Sequence, residues 1–359
     1  VKIHHLGALA LLSAVLACEP GARTLDPAST PQSTTIAVTQ DGTVVSLDAD
    51  HDALVFMDLQ GNQRFSLPLG KGVSQLTVRG DRAAVSNRMD RSVSIVSLKD
   101  RRVIKTIPVG VEPHGLAFVD DNRLAVVLAG EQSVAMVDVD SSSVTQRFEL
   151  ATGNPRSIAS VGNKLFVGHL FDAELSVVNL ERNTVSPLSI RLNGLPNTRL
   201  NPSLIANLTV APDGKEVGTP HVNTNNETLR SDPNQGGGGG YLGTPDQMPA
   251  VNPTLTTVDT TTEVMTSDAT AADEPMGFAG DCFDCGGAQP RSASAGAAGD
   301  RQSALLTQQN GSTGSFQLNE PVAMAYLDGG RGVAVLARGS RNLFIWRRDE
   351  NGRRVQLVQ

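Results

Sequence analysis

The sequence predicts an all-β fold, a β-propeller of four-stranded antiparallel blades, and three observations carry that prediction. A six-residue alternating segment recurs through the first half of the chain at nearly constant spacing. Apolar residues come as short runs of Val, Leu, Ala and Ile; aromatic residues make up only 4%, while Gly and Pro number 35 and 19 among 359 residues. Polar turn signals separate the runs, among them Asp41-Gly42, Asp213-Gly214 and Asp328-Gly329. Many short strands joined by tight turns suit this usage. A repeat of about 40 residues is the period of one propeller blade.

The recurring segments are Leu54-Val55-Phe56-Met57-Asp58-Leu59, Val93-Ser94-Ile95-Val96-Ser97-Leu98, Val134-Ala135-Met136-Val137-Asp138-Val139 and Leu175-Ser176-Val177-Val178-Asn179-Leu180. Each ends on a polar residue followed by an aliphatic one. Asp58, Ser97, Asp138 and Asn179 stand 39, 41 and 41 residues apart. Six residues of period two make one strand, and each period leaves room for three more. The third unit shows the plan: strands at residues 115–119, 124–128, 134–139 and 144–150, with polar turns at 120–122 and 140–143. Stacking such sheets around an axis buries both faces and leaves few open edges.

The same plan gives six units, beginning near Thr34, Val73, His114, Arg156, Ser203 and Pro321. A seventh, missing or hidden in an insert, is the alternative. The fifth unit has strands at 204–210 and 215–217 around Pro212-Asp213-Gly214, and its third strand resumes at Thr254. Two polar inserts, about 224–253 and 267–316, show no sustained periodicity and read as loops.

Residues 1–17 read as a secretory leader. Lys2, His4 and His5 precede an apolar stretch at 6–17 that is too short to span a bilayer. The stretch ends Val15-Leu16-Ala17-Cys18, which resembles a bacterial lipobox. That resemblance implies cleavage before Cys18, lipidation of its thiol, and residence in the cell envelope (periplasm or outer membrane). A plain signal peptide cut nearby is the alternative. Residues 18–33 are rich in Pro, Ser and Thr and read as a flexible tether, with the propeller spanning 34–359. The net charge of −7 carries no basic block, which argues against nucleic-acid binding.

Pro108-Val109-Gly110-Val111-Glu112-Pro113-His114-Gly115-Leu116-Ala117-Phe118 and Leu208-Thr209-Val210-Ala211-Pro212-Asp213-Gly214 resemble the YVTN-type β-propeller repeat. Leu165-Phe166-Val167-Gly168-His169-Leu170 and Thr219-Pro220-His221-Val222-Asn223 are similar to segments of bacterial propellers associated with di-heme cytochrome c peroxidase-like domains. That resemblance implies a haem protein as one possible partner. Covalent haem needs Cys-x-x-Cys-His, and here Gly286 follows Cys282-Phe283-Asp284-Cys285. No covalent haem is expected, and no cofactor is predicted. Outside the cytoplasm, Cys282 and Cys285 are expected to form a local disulfide, with a redox-active dithiol as the alternative.

The mature histidines are the candidate site residues. In a blade, the loops from strand two to three and from strand four to the next blade lie on one face. His51, His169 and His221 fall in or near two-to-three loops and His114 in a four-to-one loop, so all four are expected on that face. Asp48, Asp50, Asn87, Glu112, Arg156 and Asn223 belong to the same loops, and both inserts should cover them. Loops on a rigid scaffold carry function. Local hydrogen bonding without shared chemistry is the plainer reading. A metal held by His169 and His221 is a further one, although no ligand spacing supports it. No Gly-x-Ser-x-Gly elbow or phosphate loop occurs. Trp346 alternates with Phe344 in the last unit and reads as inter-blade packing. Three functions are compatible with this chain. It is expected first as a lipid-anchored binding or scaffold module that takes a protein or small ligand on its loop-rich face. The others are an accessory docking a separate haem peroxidase, and a metal-dependent lactonase-like enzyme.

Overall fold

The computed structural model describes residues 32–39, 41–62, 65–151, 153–171, 174–190, 200–203, 205, 207–225, 251–266, 307–308, 316–317, 321–327, 332–337, 342–348 and 354–358. All regular structure among them is β. The first blade is β1 (Ile36–Val38), β2 (Val44–Asp48), β3 (Ala53–Met57) and β4 (Phe65–Pro68). The second is β5 (Val73–Arg79), β6 (Arg82–Asn87), β7 (Ser92–Ser97) and β8 (Arg102–Pro108). The third is β9 (Pro113–Phe118), β10 (Arg123–Leu128), β11 (Ser133–Asp138) and β12 (Ser143–Glu149). The fourth is β13 (Pro155–Val161), β14 (Lys164–His169), β15 (Glu174–Asn179) and β16 (Thr184–Ser189). Each is a meander in chain order with antiparallel pairs.

The fifth blade departs from the plan. β17 (Leu200–Ser203) and β18 (Thr209–Val210) both pair with β19 (Glu216–Asn225), at opposite ends of it. The first strand is thus split, not continuous over 204–210, because β19 runs ten residues and outreaches it. β19 and β20 (Val251–Asp259) pair out to Thr224 and Val251, so the hairpin extends further into the first insert than the alternating pattern indicates. β21 (Met265–Thr266) closes the sheet. In the second insert, β22 (Thr307–Gln308) and β23 (Phe316–Gln317) form a small ribbon. The sixth blade is β24 (Pro321–Leu327), β25 (Gly332–Ala337), β26 (Asn342–Arg348) and β27 (Arg354–Val358). Trp346 lies in β26 opposite Val333 and Leu357. Cys18, Cys282 and Cys285 lie outside the described residues.

First strands of successive blades touch one another, from β5 through β9 to β13 and from β18 to β24, so these strands converge on the axis. The core sits between blades. Along β10, Leu124, Val126 and Leu128 pack toward the second blade, with Val93, Ile95 and Ile107. Ala125 and Val127 point the other way, onto Ile158, Leu165 and Val167 of the fourth. Both faces of an inner strand are therefore buried, which is why these strands read as apolar runs. The fourth strands β8 and β12 alternate exposed and covered residues, because their outer face meets water.

The polar residue ending each third strand has a local task. Asp58 accepts the Gln60 and Asn62 amides, at 3.0 and 2.7 Å; Asp138 accepts Ser141 at 2.7 Å; Asn179 accepts Glu181 and Arg182, at 3.1 and 2.9 Å. These bonds fold the three-to-four turn, which Gly61, Ser142 and Asn183 complete in the left-handed region. The repeat that predicts the fold is therefore strand plus turn cap.

Candidate functional site

The first residue of a first strand pairs with the last residue of its second strand: Val73 with Asn87, Pro113 with Leu128, Pro155 with His169. The next residues, Ser74, His114 and Arg156, thus occupy one equivalent place in three successive blades, where the four-to-one loops deliver the chain to the axis. This is the end of the blades that carries the two-to-three loops.

Arg156 organises this end. Its Nε donates to Asn154 Oδ1 at 2.7 Å, and its Nη1 lies 3.3 Å from Glu112 Oε1. Glu112 and Asn154 hold matching left-handed positions in their loops, with φ of 55° and 60°. His114 Nδ1 donates to the main-chain oxygen of Arg156 at 3.1 Å. Burial, then the positive charges of Arg156 and Arg88, push its pKa down to about 4, against a smaller upward pull from that hydrogen bond. The ring is therefore neutral at neutral pH. Its Nε2 keeps an acceptor lone pair, which has no partner among the described residues. A neutral acceptor beside a guanidinium can grip a polar group that both donates and accepts.

The other predicted residues separate from this cluster. His51 stands in the β2–β3 loop, 78% exposed at its side chain, with Nδ1 2.9 Å from Asp48 Oδ1. His169 and His221 are both buried. They are strand residues, the last of β14 and the sixth of β19, not loop residues. His169 Nε2 bonds Ser176 Oγ and His221 Nε2 bonds Thr256 Oγ1, each at 2.8 Å. Burial pushes His221 down to about 4. Asn87 makes the same kind of link in the second blade, from Nδ2 to Ser92 Oγ and Ser94 Oγ at 3.0 and 2.9 Å. Burial thus withdraws both histidine rings from the loop surface and ties each to its own blade. Asn223 lies in β19 opposite Pro202 and Asn252. Among the described residues no three His, Cys, Asp or Glu side chains gather as metal ligands.

Sequence reasoning missed the apolar members of the face. Met89 and Phe171, in two-to-three loops, are 71% and 64% exposed, and Val111 in a four-to-one loop is 38% exposed. Met89 and Phe171 are two periods apart, with Gly130 midway. A Cβ on Gly130 would fall 2.6 Å from the Val111 side chain, so Val111 covers the middle place. The signal was the period itself, read at loop positions as well as in strands.

No protein-family description matches the sequence, and no curated protein matches it. Solved structures with a similar fold include hydrazine synthase of Kuenenia stuttgartiensis, at 15% identity and a TM-score of 0.57, covering 91% of this chain and 79% of that one. Virginiamycin B lyase from Staphylococcus aureus aligns at 10% identity and 0.54, covering 92% and 87%. The WD40 repeats of RRP9 align at 11% and 0.53, covering 94% and 82%. At such identities the likeness is one of fold: the chain is a β-propeller.

Proposed function

We propose that this chain is an extracytoplasmic, lipid-anchored propeller that acts as a binding module for a protein partner through its loop-rich face. The leader at residues 1–17 and the lipobox-like Val15-Leu16-Ala17-Cys18 support the location. The observation that carries the binding reading is the Glu112–Arg156–His114 cluster, flanked by the exposed Met89, Val111 and Phe171. Arginine, methionine and aromatic side chains beside a rigid polar group are the composition of protein-binding surfaces. The partner could be a separate haem protein, in line with the propeller segments this sequence resembles.

Site-specific photo-crosslinking in the native envelope tests this. A photo-reactive residue at position 89 or 171 should capture a partner, and Arg156→Ala should lower the yield at both. The same probe at Lys99, in a three-to-four turn on the opposite face, should capture nothing. Capture from position 99 alone, or from no position, would sink the proposal. Haem absorbance in the product would identify the partner as an electron-transfer protein. Cys18→Ser should release the chain from the membrane fraction.

A further inference from the structure

A first strand offers one edge to its own blade and turns the other toward the axis, where its N–H and C=O groups need partners. Two of these axial edges are filled by the residues just before the first blade. Thr34 exchanges both main-chain bonds with Leu76 of β5: its N–H reaches the Leu76 oxygen at 2.8 Å and its oxygen accepts the Leu76 N–H at 2.7 Å. One residue earlier, the Ser33 N–H donates to the Ile158 oxygen of β13 at 3.0 Å, and Ser33 Oγ accepts the Ile158 N–H at 3.3 Å. Gln32 bridges Ala159. The segment therefore joins the second blade to the fourth past the third, and Ser33 is 1% exposed within it. Pairing of this type is how an extended peptide adds to a sheet edge.

We propose that the axial edges of β5 and β13 form a receptor for a short extended peptide with a small hydroxyl side chain at its centre, and that residues 32–34 occupy it in cis as a built-in competitor. The buried setting of Ser33 fixes the size limit, since its hydroxyl meets Ile158 and leaves no outlet to solvent. The cis occupant is not the best ligand. Gln32 Oε1 is buried without a hydrogen-bond partner among the described residues. An unmatched buried acceptor weakens a complex, and an apolar side chain there avoids that penalty. The receptor is distinct from the loop-rich face and stands whether or not that face binds a partner.

The test uses the full chain and a fluorescein-labelled peptide copying residues 29–36. Ser33→Pro removes the N–H that reaches Ile158 and weakens the cis segment, whose tether gives it a high effective concentration. The Ser33→Pro chain should bind the peptide at least about tenfold more tightly than the unaltered chain does. The peptide carrying Gln32→Leu should bind more tightly still, and the peptide carrying Ser33→Tyr should not bind. Equal affinity for the two chains, or indifference to Ser33→Tyr, would overturn the proposal. Should Ser33→Pro fail to fold, amide exchange on the unaltered chain decides. Excess Gln32→Leu peptide should raise exchange at Thr34 while Leu76 stays protected, because the trans peptide replaces its partner. No change at either amide, or deprotection of both together, would overturn it.

Discussion

His114 donates its Nδ1 hydrogen to the main-chain oxygen of Arg156, 3.1 Å away, across the boundary between the third and fourth blades. This bond requires one tautomer and a specific approach of the two first strands. It makes the imidazole part of the wall of the axis and of the loop-rich face at once.

Stability should depend on pH through His114 and His221. Both have folded pKa values lowered from 6.5 to about 4, so the unfolded chain binds more protons between those values. Stability is then fully present above about pH 6.5 and is lost as pH falls toward 4, by roughly 3 kcal/mol for each histidine. Urea midpoints at pH 7.5 and 4.5 should show this loss. His114→Gln and His221→Gln should each flatten the difference, and a midpoint that does not move between the two pH values would refute the assignment.

Gly115 lies where β9 meets β13. A Cβ there would sit 2.6 Å from the Arg156 oxygen and 3.1 Å from the Ile158 nitrogen, both main chain and unable to yield cheaply. Gly115→Ala should destabilise by about 2–3 kcal/mol. Gly153→Ala meets only the Gln132 side chain at 3.9 Å and should stay within about 0.5 kcal/mol. Thermal melts of the two variants side by side give the comparison.

Thr256→Val removes the hydroxyl that His221 Nε2 bonds at 2.8 Å and leaves that nitrogen buried without its partner. The expected loss is about 1–3 kcal/mol. His221→Leu combined with Thr256→Val replaces both polar groups by apolar ones and should cost less than Thr256→Val alone. A double variant that loses the sum of the two single losses would contradict this account.

Lys164 ties the fourth blade to the fifth at the end opposite the loop-rich face. Its Nζ reaches Glu263 Oε1 at 2.7 Å and the oxygens of Thr260 and Thr261 at 2.9 and 3.2 Å. Lys164→Met should cost about 1–3 kcal/mol. Most of that loss should survive 1 M salt, because two of its three contacts are to carbonyl groups. Denaturant midpoints at low and high salt test it.

The strands of the first four blades were legible in the sequence because their signal is local: a six-residue alternation, then a polar cap such as Asp138 that the turn needs. The split first strand of the fifth blade was not, since β19 has room for two partners only after it has extended to Asn225. His169 and His221 show a different limit. A histidine after an apolar run reads as the start of a loop, and nothing local reveals that Thr256, 35 residues on from His221, is its partner. Composition likewise assigned Gln32 and Ser33 to a tether rich in Pro, Ser and Thr, yet they pair with β13. The edge that receives them is made by residues more than a hundred positions away.

The diagonal links from the second strand to the third have a consequence for how the chain finds its own alignment. A slip of two residues between β14 and β15 would keep every apolar side chain on its proper side, so hydrophobic patterning alone does not forbid it. In the direction that moves Ser176 further from the place opposite His169, it would separate the two and strand both polar groups in the interior. Asn87 with Ser94, and His221 with Thr256, impose the same condition on their own sheets. The third blade has Leu128 at the equivalent place and no such check. Polar pairs in these blades thus work as keys against a slip in that direction, and mispaired forms of that kind should arise first in blades that lack a key, such as the third.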